Sequence, residues 1–112
     1  MNKELRYRIA LTRLPQVGDV HAKNLVQVYG SAEAVFKAPR KQLENIEGIG
    51  TVRAGSIKKF NAFEACDEEI AFIEKYRIRP LFLTDDDYPK RLLNCYDSPP
   101  LLYYRGNASL NV

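Results

Sequence analysis

The fold is decided by an internal repeat: LPQVGDVHAKNLVQV at residues 14–28 and IEGIGTVRAGSIKKF at residues 46–60. The two stretches align at an offset of 32 residues, and apolar or small residues coincide along them. The coincident pairs are Leu14 with Ile46, Val17 with Ile49, Gly18 with Gly50, Val20 with Val52, Ala22 with Ala54, and Leu25 with Ile57. Two copies are too few for a solenoid. They predict two equivalent units, each a tight glycine-containing turn that enters a helix.

Helical signals dominate around the repeat. Pro15 ends the first helix, because the residue before a proline avoids the α region. Asp19 and Ser31 are predicted N-caps of the helices that follow them, and Gly30 is a predicted C-cap. The helices are predicted over residues 3–13, 19–29, 31–36 and 39–43, then from Thr51 to a break near Asn61 or Ala62, and over 63–76.

The pattern changes after Arg77. Two short apolar runs, Arg79–Leu83 and Leu101–Tyr104, have the length and the flanking prolines typical of strands. Tyr88–Leu93 between them predicts a brief helix that begins near a proline. We therefore predict a mainly α chain, with a helical domain at about residues 1–65 and an α/β segment at 66–112. Two strands are fewer than a stable sheet usually has, so we predict that this α/β layer is incomplete.

The composition indicates a globular protein without a membrane segment. Of its residues 46% are hydrophobic and 28% are charged, which suits a packed core with a solvated surface. No run of 18 apolar residues occurs, and the amino terminus lacks a secretory h-region, so we expect a cytoplasmic location. Cys66 and Cys95 stand far apart and His21 is the lone histidine, so neither a disulfide framework nor a zinc site is predicted.

Charge is distributed unevenly along the chain. The net charge of +3 is too small to argue for nucleic acid by itself. Residues 1–65 hold eleven Lys and Arg against six Asp and Glu (+5), whereas residues 66–112 hold six against eight (−2). The basic half comes first. Within it, the clusters Arg6–Arg8 and Arg40–Lys41 are interpreted as solvated surface.

The second unit fits the helix-hairpin-helix pattern, in which hydrophobic, any, Gly, hydrophobic and Gly residues are followed by a small one. Glycines permit backbone conformations closed to other residues and allow a phosphate to approach the chain. Free N–H groups at the start of the next helix favour an anion, and nearby cations add attraction. The predicted phosphate-binding residues are Gly48, Ile49, Gly50, Val52, Arg53, Lys58 and Lys59.

The first unit departs from that pattern. Gln16 replaces the first glycine, and Pro15 removes a backbone donor. Gly18 and Lys23 are the corresponding candidates for phosphate contact. A structural alternative stays open for both hairpins: their glycines are needed only for the geometry of the turns, and they do not contact phosphate.

No catalytic or metal-binding constellation is apparent. His21 has no nucleophile or carboxylate at a telling spacing. Asp85, Asp86 and Asp87 are adjacent, so they cannot all converge on one cation, and they are interpreted as a solvated loop. We therefore predict a nonenzymatic protein without a cofactor.

A second set of positions resembles the lead-in to the core of the DNA-processing A (DprA, also Smf) family. The matching residues are Tyr88, Pro89, Leu92, Asp97, Pro99, Pro100, Leu102, Tyr103, Gly106 and Asn107, with Arg105 beside them. Ser98, between Asp97 and the prolines, departs from the family pattern. The helical region is similar to the amino-terminal helix-hairpin-helix, or SAM-like, domain of the same family. The resemblance covers nearly the whole chain.

The resemblance implies a fold and a function. It implies that residues 66–112 open a Rossmann-like domain whose phosphate-type loop lies beyond this sequence. It also implies weak, sequence-independent DNA binding, with single-stranded DNA as the family's ligand and help in loading the RecA recombinase during natural transformation as its task. No catalytic residue is carried over.

Two rival hypotheses stay open beside DNA binding. In the first, the helical domain docks a recombinase or another copy of itself without touching DNA, and an exposed apolar patch would favour it. In the second, the hairpins belong to a nuclease or repair enzyme, and nothing in residues 88–107 supports that.

Overall fold

The computed structural model of the chain describes residues 3–93 and 98–104. Helices make up most of this part, as predicted, and a small sheet follows them. The elements are α1 (Lys3–Thr12), α2 (Asp19–Tyr29), α3 (Ala32–Lys37), α4 (Arg40–Glu44), α5 (Gly50–Lys59), α6 (Phe63–Lys75), β1 (Arg79–Phe82), α7 (Lys90–Leu93) and β2 (Leu101–Tyr104). Each agrees with its predicted segment to within a few residues.

Two helix starts differ from the prediction. Gly18, and not Asp19, is the N-cap of α2, with extended dihedral angles (φ −83°, ψ −176°) and no side-chain cap. Asp19 is instead the first helical residue, where its carboxylate still favours the positive end of the helix dipole. α5 begins at Gly50, one residue before Thr51. The αL cap at Gly30 (φ +89°) is confirmed.

The amino terminus of α3 is satisfied by two side chains. Ser31 caps it as predicted, because its Oγ accepts a hydrogen bond of 3.2 Å from the N–H of Ala34. Glu4 of α1 accepts from the two preceding amides, at 3.0 Å from Ala32 and 3.1 Å from Glu33. A six-residue helix is too short to be stable alone. Its first turn is therefore stabilised by contact with α1.

Two apolar clusters share α1. The larger one lies among the hairpins and α3, and β1 joins it through Phe82. The smaller one packs α1 against α6, with Leu5, Ile9 and Ala10 facing Cys66, Ile70 and Ile73. Rings of Tyr7, Phe36, Phe60 and Phe63 fill the space around α1, α3 and α6, with centroids 5.0–5.9 Å apart. The apolar face of α6 is thereby packed against α1 and α3.

The two strands form an antiparallel pair. Arg79 lies opposite Tyr104 and Phe82 opposite Leu101. Phe82 is fully buried, so the sheet is packed onto the helical core. The described residues contain no parallel strand pair. The Rossmann-like continuation implied by the family resemblance and the division at residue 65/66 both remain predictions.

Arginines that were expected on a solvated surface instead join elements. The Arg8 guanidinium lies 4.4 Å from the centre of the Phe82 ring and forms an ion pair of 3.4 Å with Asp85. Arg6 forms an ion pair of 3.1 Å with Asp67 on α6. Asp85 also accepts a hydrogen bond from the N–H of Phe82 at 2.9 Å, so it is part of a turn rather than a free acidic loop.

Within residues 3–93 and 98–104, every helix is too short or too polar to cross a lipid bilayer.

Replacement of Glu4 by alanine tests the tertiary cap of α3. We expect Glu4→Ala to lower the free energy of unfolding by about 2 kcal/mol, because two amides lose a charged acceptor. Glu33→Ala is the matched control, since it removes the ion pair of Glu33 with Lys37 just as Glu4→Ala removes that of Glu4 with Arg8. Urea denaturation would measure both variants. Equal losses in the two would contradict the cap.

Candidate nucleic-acid interface

The two hairpin turns share a left-handed residue at the same position, although Gly18 is extended where its equivalent Gly50 has positive φ. Gly48 has φ +86°, and Gln16, which lies 32 residues before it, has φ +67°. Each turn is closed by a hydrogen bond from an inward-facing apolar residue to the carbonyl three residues back. These bonds run from Ile49 to Ile46 at 3.0 Å and from Val17 to Leu14 at 3.4 Å. The repeat found in the sequence is therefore confirmed in the geometry, although a glutamine stands where left-handed backbone favours glycine.

The second turn leaves donors at the surface. Gly48, Gly50, Thr51 and Val52 are all exposed. Across the part of the chain that the structure describes, no hydrogen bond joins the N–H of Gly48, Gly50 or Thr51 to another residue. Gly50 also has positive φ (+67°), which turns the chain directly into α5. The start of α5 thus presents several unbonded amides beside each other, the arrangement that binds anions at helix N-termini.

Ile49 does not belong to that donor set. Its N–H is used in the turn, and its side chain is buried in the main core. Ile49 was among the predicted phosphate-binding residues, but in the structure its buried side chain fixes the turn to the core.

Each helix start lies against the turn of the other hairpin. The Nε of Arg53 donates to the carbonyl of Gln16 at 2.9 Å. His21, 32 residues before Arg53, lies over the second turn: a Cβ placed on Gly48 would be 3.8 Å from its ring. The two hairpins therefore interlock at equivalent positions. His21 was not identified as a site residue from the sequence. Its equivalence to Arg53 in the repeat was the signal that could have revealed it.

The electrostatic surroundings of the two turns differ. The first turn of α2 carries Asp19, whereas the first turn of α5 carries no acidic residue. Thr51 is the residue equivalent to Asp19. A carboxylate at a helix N-terminus occupies the region of positive potential that an incoming phosphate would need. Gly18 therefore lies beside a helix-terminal carboxylate, whereas the start of α5 has none and the nearest acidic residue in its chain is the exposed Glu47 of the turn.

Comparison with known proteins agrees with this geometry. The family described as "Helix-hairpin-helix motif" matches residues 9–70, more than half of the chain. The chain belongs to the helix-hairpin-helix family. The matched range contains both hairpins, α6 as far as Ile70, and the last turn of α1.

Three relatives extend the comparison. Protein Smf of Synechocystis sp. is 33% identical over 94% of this chain, which spans 26% of that protein. DNA integrity scanning protein DisA of Carboxydothermus hydrogenoformans is 42% identical over 47% of the chain and 15% of its own length. A DNA ligase of Chloroflexus aggregans is 44% identical over 54% of the chain and 8% of its own length. No solved structure matches the chain.

These findings confirm the resemblance to the DprA/Smf family in one form: the chain is a Smf-like helix-hairpin-helix region. It spans about a quarter of the Smf relative.

Two lysines of this helix-hairpin-helix domain are committed elsewhere. The ammonium group of Lys23 donates to Ser98 Oγ at 2.7 Å, so it is directed toward the segment that precedes β2. Lys58 donates to the carbonyls of Phe36 and Ala38, both at 2.9 Å. It thereby satisfies the carboxyl end of α3. Both were predicted to attract phosphate, and neither ammonium faces the second turn as a free cation.

The family-signature residues that the structure describes form a scaffold. The Tyr88 ring is buried, and its hydroxyl donates to the carbonyl of Pro99 at 2.5 Å. The carbonyl of Pro100 accepts from Leu83 at 2.9 Å, which extends the sheet. Pro89 and Pro100 are buried, Leu92 is half-buried, and Leu102 and Tyr103 belong to β2. Asp97, Arg105, Gly106 and Asn107 lie outside the described residues, as does Cys95.

Cys66 is a buried free thiol, and burial raises its pKa, so it stays protonated and packs as an apolar group. No group of three His, Cys, Asp or Glu residues in the described ranges is placed to hold a metal ion.

Exchange of the residues at positions 16 and 48 tests whether the two turns share a left-handed residue. A Cβ at position 48 would make only ordinary contact with His21, so the dihedral angle dominates the cost there. We expect Gly48→Gln to lower the free energy of unfolding by about 1 kcal/mol. Gln16→Gly should raise it by about 0.5 kcal/mol, since relief of the left-handed strain exceeds the added chain entropy. Thermal or urea denaturation measures both, and losses in both variants would show that the turns are not equivalent.

The adjacent lysines of α5 test the assignment of Lys58. We expect Lys58→Met to lower the free energy of unfolding by about 1 to 2 kcal/mol, because two carbonyls at the end of α3 lose a charged donor. Lys59→Met removes the same charge one residue later and should change stability by less than about 0.5 kcal/mol. Urea midpoints compare the two. A neutral Lys58→Met would return Lys58 to the candidate interface.

Proposed function

We propose that this chain binds DNA through the sugar-phosphate backbone at the second hairpin, without reading base sequence. The observation that carries the proposal is that the amides of Gly48, Gly50 and Thr51 are exposed and unbonded at the start of a helix without an acidic first turn. Such amides and the helix dipole act together on a negative group. Backbone contacts of this kind position a nucleic acid but do not specify its sequence.

Three side chains support the phosphate site. Arg53 uses Nε on Gln16, and the other four N–H groups of its guanidinium remain available to a ligand. His21 lies with its ring edge over Gly48. Lys59 is exposed on the same helix as Arg53. We propose that these side chains, and not Lys23 and Lys58, provide the cationic and polar contacts of the interface.

DNA is favoured as the polyanion by the kinds of relatives that share the domain. The proteins named DNA integrity scanning protein DisA and DNA ligase share only about half of this chain and a small fraction of their own length with it. We infer from those names that the shared hairpins serve a DNA-directed purpose here too.

The likeness to protein Smf supports a finer proposal. We propose that the chain is the nonenzymatic, cytoplasmic part of a recombination mediator that handles single-stranded DNA and helps to load RecA in natural transformation. Because the chain spans 26% of the Smf relative, this activity would belong to a larger protein.

A protein-docking function is the second candidate. Phe72 of α6, Tyr76 directly after α6 and Tyr103 of β2 are large side chains that remain 55%, 41% and 46% exposed. The Phe72 and Tyr76 rings are in contact, with centroids 4.6 Å apart and ring planes tilted by 45°. An exposed aromatic patch of this kind is typical of protein interfaces, whether with a recombinase or with a second copy of the chain.

A reciprocal exchange between the hairpins tests DNA binding. Thr51→Asp gives the second hairpin the carboxylate that the first one carries at Asp19. We expect it to weaken binding of single-stranded DNA about tenfold, which corresponds to about 1.4 kcal/mol. The same carboxylate stabilises the start of α5, so the loss cannot come from unfolding. Fluorescence anisotropy at several salt concentrations measures it, and the slope of log K against log salt should fall by about 0.7 per lost phosphate contact.

Two controls complete that experiment. Asp19→Thr removes the carboxylate from the first hairpin and should leave binding equal or stronger. Gln27→Glu adds the same charge near the far end of α2, about 12 Å along that helix from Asp19, and should have little effect. Wild-type protein that binds no DNA, or equal losses in Thr51→Asp and Gln27→Glu, would overturn the proposal. Self-association that needs Phe72 would then favour docking.

A further inference from the structure

A groove lies between α5 and the first hairpin turn, whose Pro15 and Gln16 are part of its lining. Its volume is about 640 Å³, within the range of small-ligand clefts and large enough for more than one nucleotide. Three cations line it, namely Arg13, Arg40 and Lys59, and no acidic residue is among its lining. Thr51 and Val52 of the first turn of α5 belong to the same lining. The groove is therefore contiguous with the exposed amides of the second hairpin.

Arg40 enters the groove because a glycine makes room for it. Gly55 is buried inside α5, where glycine destabilises a helix relative to alanine. A Cβ at Gly55 would be 3.1 Å from the Nη2 of Arg40, closer than side chains normally approach. The guanidinium thus lies across the helix where its backbone is bare. Its other contact is a long ion pair of 4.0 Å with Glu44.

The other two cations differ in their commitments. Arg13 forms an ion pair of 2.5 Å with Glu69, which offsets much of its charge. Lys59 is exposed, and no ion pair joins it to any residue in the described ranges. Arg40 and Lys59 are therefore the cations that the groove offers to an anionic ligand.

Apolar side chains line the same groove as these cations. Val52 is 64% exposed, and Phe60 is half-buried at the other end of α5. Cations interleaved with apolar and aromatic side chains suit an unpaired strand, whose phosphates and base faces are both accessible. A duplex presents mainly its phosphates to such a surface.

We infer that this groove is a second nucleic-acid subsite, in which Arg40 and Lys59 contact the phosphates of an unpaired strand that extends from the second hairpin. The inference rests on the proposed function, because the hairpin supplies the first contact. It extends that function by assigning a path for the strand and two residues outside the hairpin turns.

Oligothymidines of two lengths test the groove by anisotropy. The short one, of about 4 nucleotides, covers the hairpin alone, and the long one, of about 12, reaches the groove. We expect Arg40→Gln/Lys59→Gln to weaken binding of the long strand about tenfold and to lower its salt slope by about 1.4, the value for two phosphates. Binding of the short strand should not change. Lys41→Gln/Lys75→Gln removes the same charge from exposed positions outside the groove and serves as the control.

A second variant separates binding from folding. Gly55→Ala improves the helix but displaces the Arg40 guanidinium, so we expect a higher urea midpoint together with weaker binding of the long strand. Unchanged binding would remove Arg40 from the subsite.

The outcomes distinguish the two proposals. If the wild type binds neither strand, the hairpin proposal fails and the groove with it. If the wild type binds and the groove variant matches the Lys41→Gln/Lys75→Gln control, or loses affinity equally for both lengths, only the groove inference fails.

Discussion

The interface depends on one backbone constraint, a residue in the left-handed region at equivalent positions of the two hairpins. Gly48 takes that conformation without strain, and Gln16 takes it at a cost. The first hairpin is held in place by bonds from α5: Arg53 donates to the carbonyl of Gln16, and Ser56 donates to that of Pro15 at 2.6 Å. Helix α5, which belongs to the second hairpin, therefore stabilises the strained turn of the first hairpin. A change in either turn is transmitted to the other.

Much of the fold could be predicted because its signals are local. The 32-residue repeat, the break at Pro15 and the caps at Gly30 and Ser31 all depend on a few neighbouring residues, and the structure confirms them. The prediction that Asp19 is the N-cap of α2 was wrong, and the reason is equally local. Asp is a good cap, but burial of Val17 fixes the turn so that Gly18 takes the capping position.

The site was harder to predict because its lysines are committed over long distances in sequence. Lys58 bonds carbonyls about twenty residues away, and Lys23 bonds Ser98, 75 residues away. Charge patterning cannot reveal such partners, since it treats every surface cation as free. The same limit hid Arg40, whose position depends on the missing side chain of Gly55. Once these contacts are known, the basic half of the chain offers fewer free cations than its composition indicates.

A small number of contacts implies weak binding, and weak binding is useful in a larger protein. Each backbone phosphate contributes little at physiological salt, so a hairpin with a short groove cannot hold DNA tightly by itself. If another site on the same polypeptide holds the strand, binding here becomes intramolecular, and millimolar effective concentrations compensate for low affinity. Coupling of this kind is strongest when the connection between the sites matches the distance that it must span. Phe82 in the helical core and Arg8 over its ring fix β1 to the helical domain. The pair of strands therefore keeps a defined orientation to the hairpins.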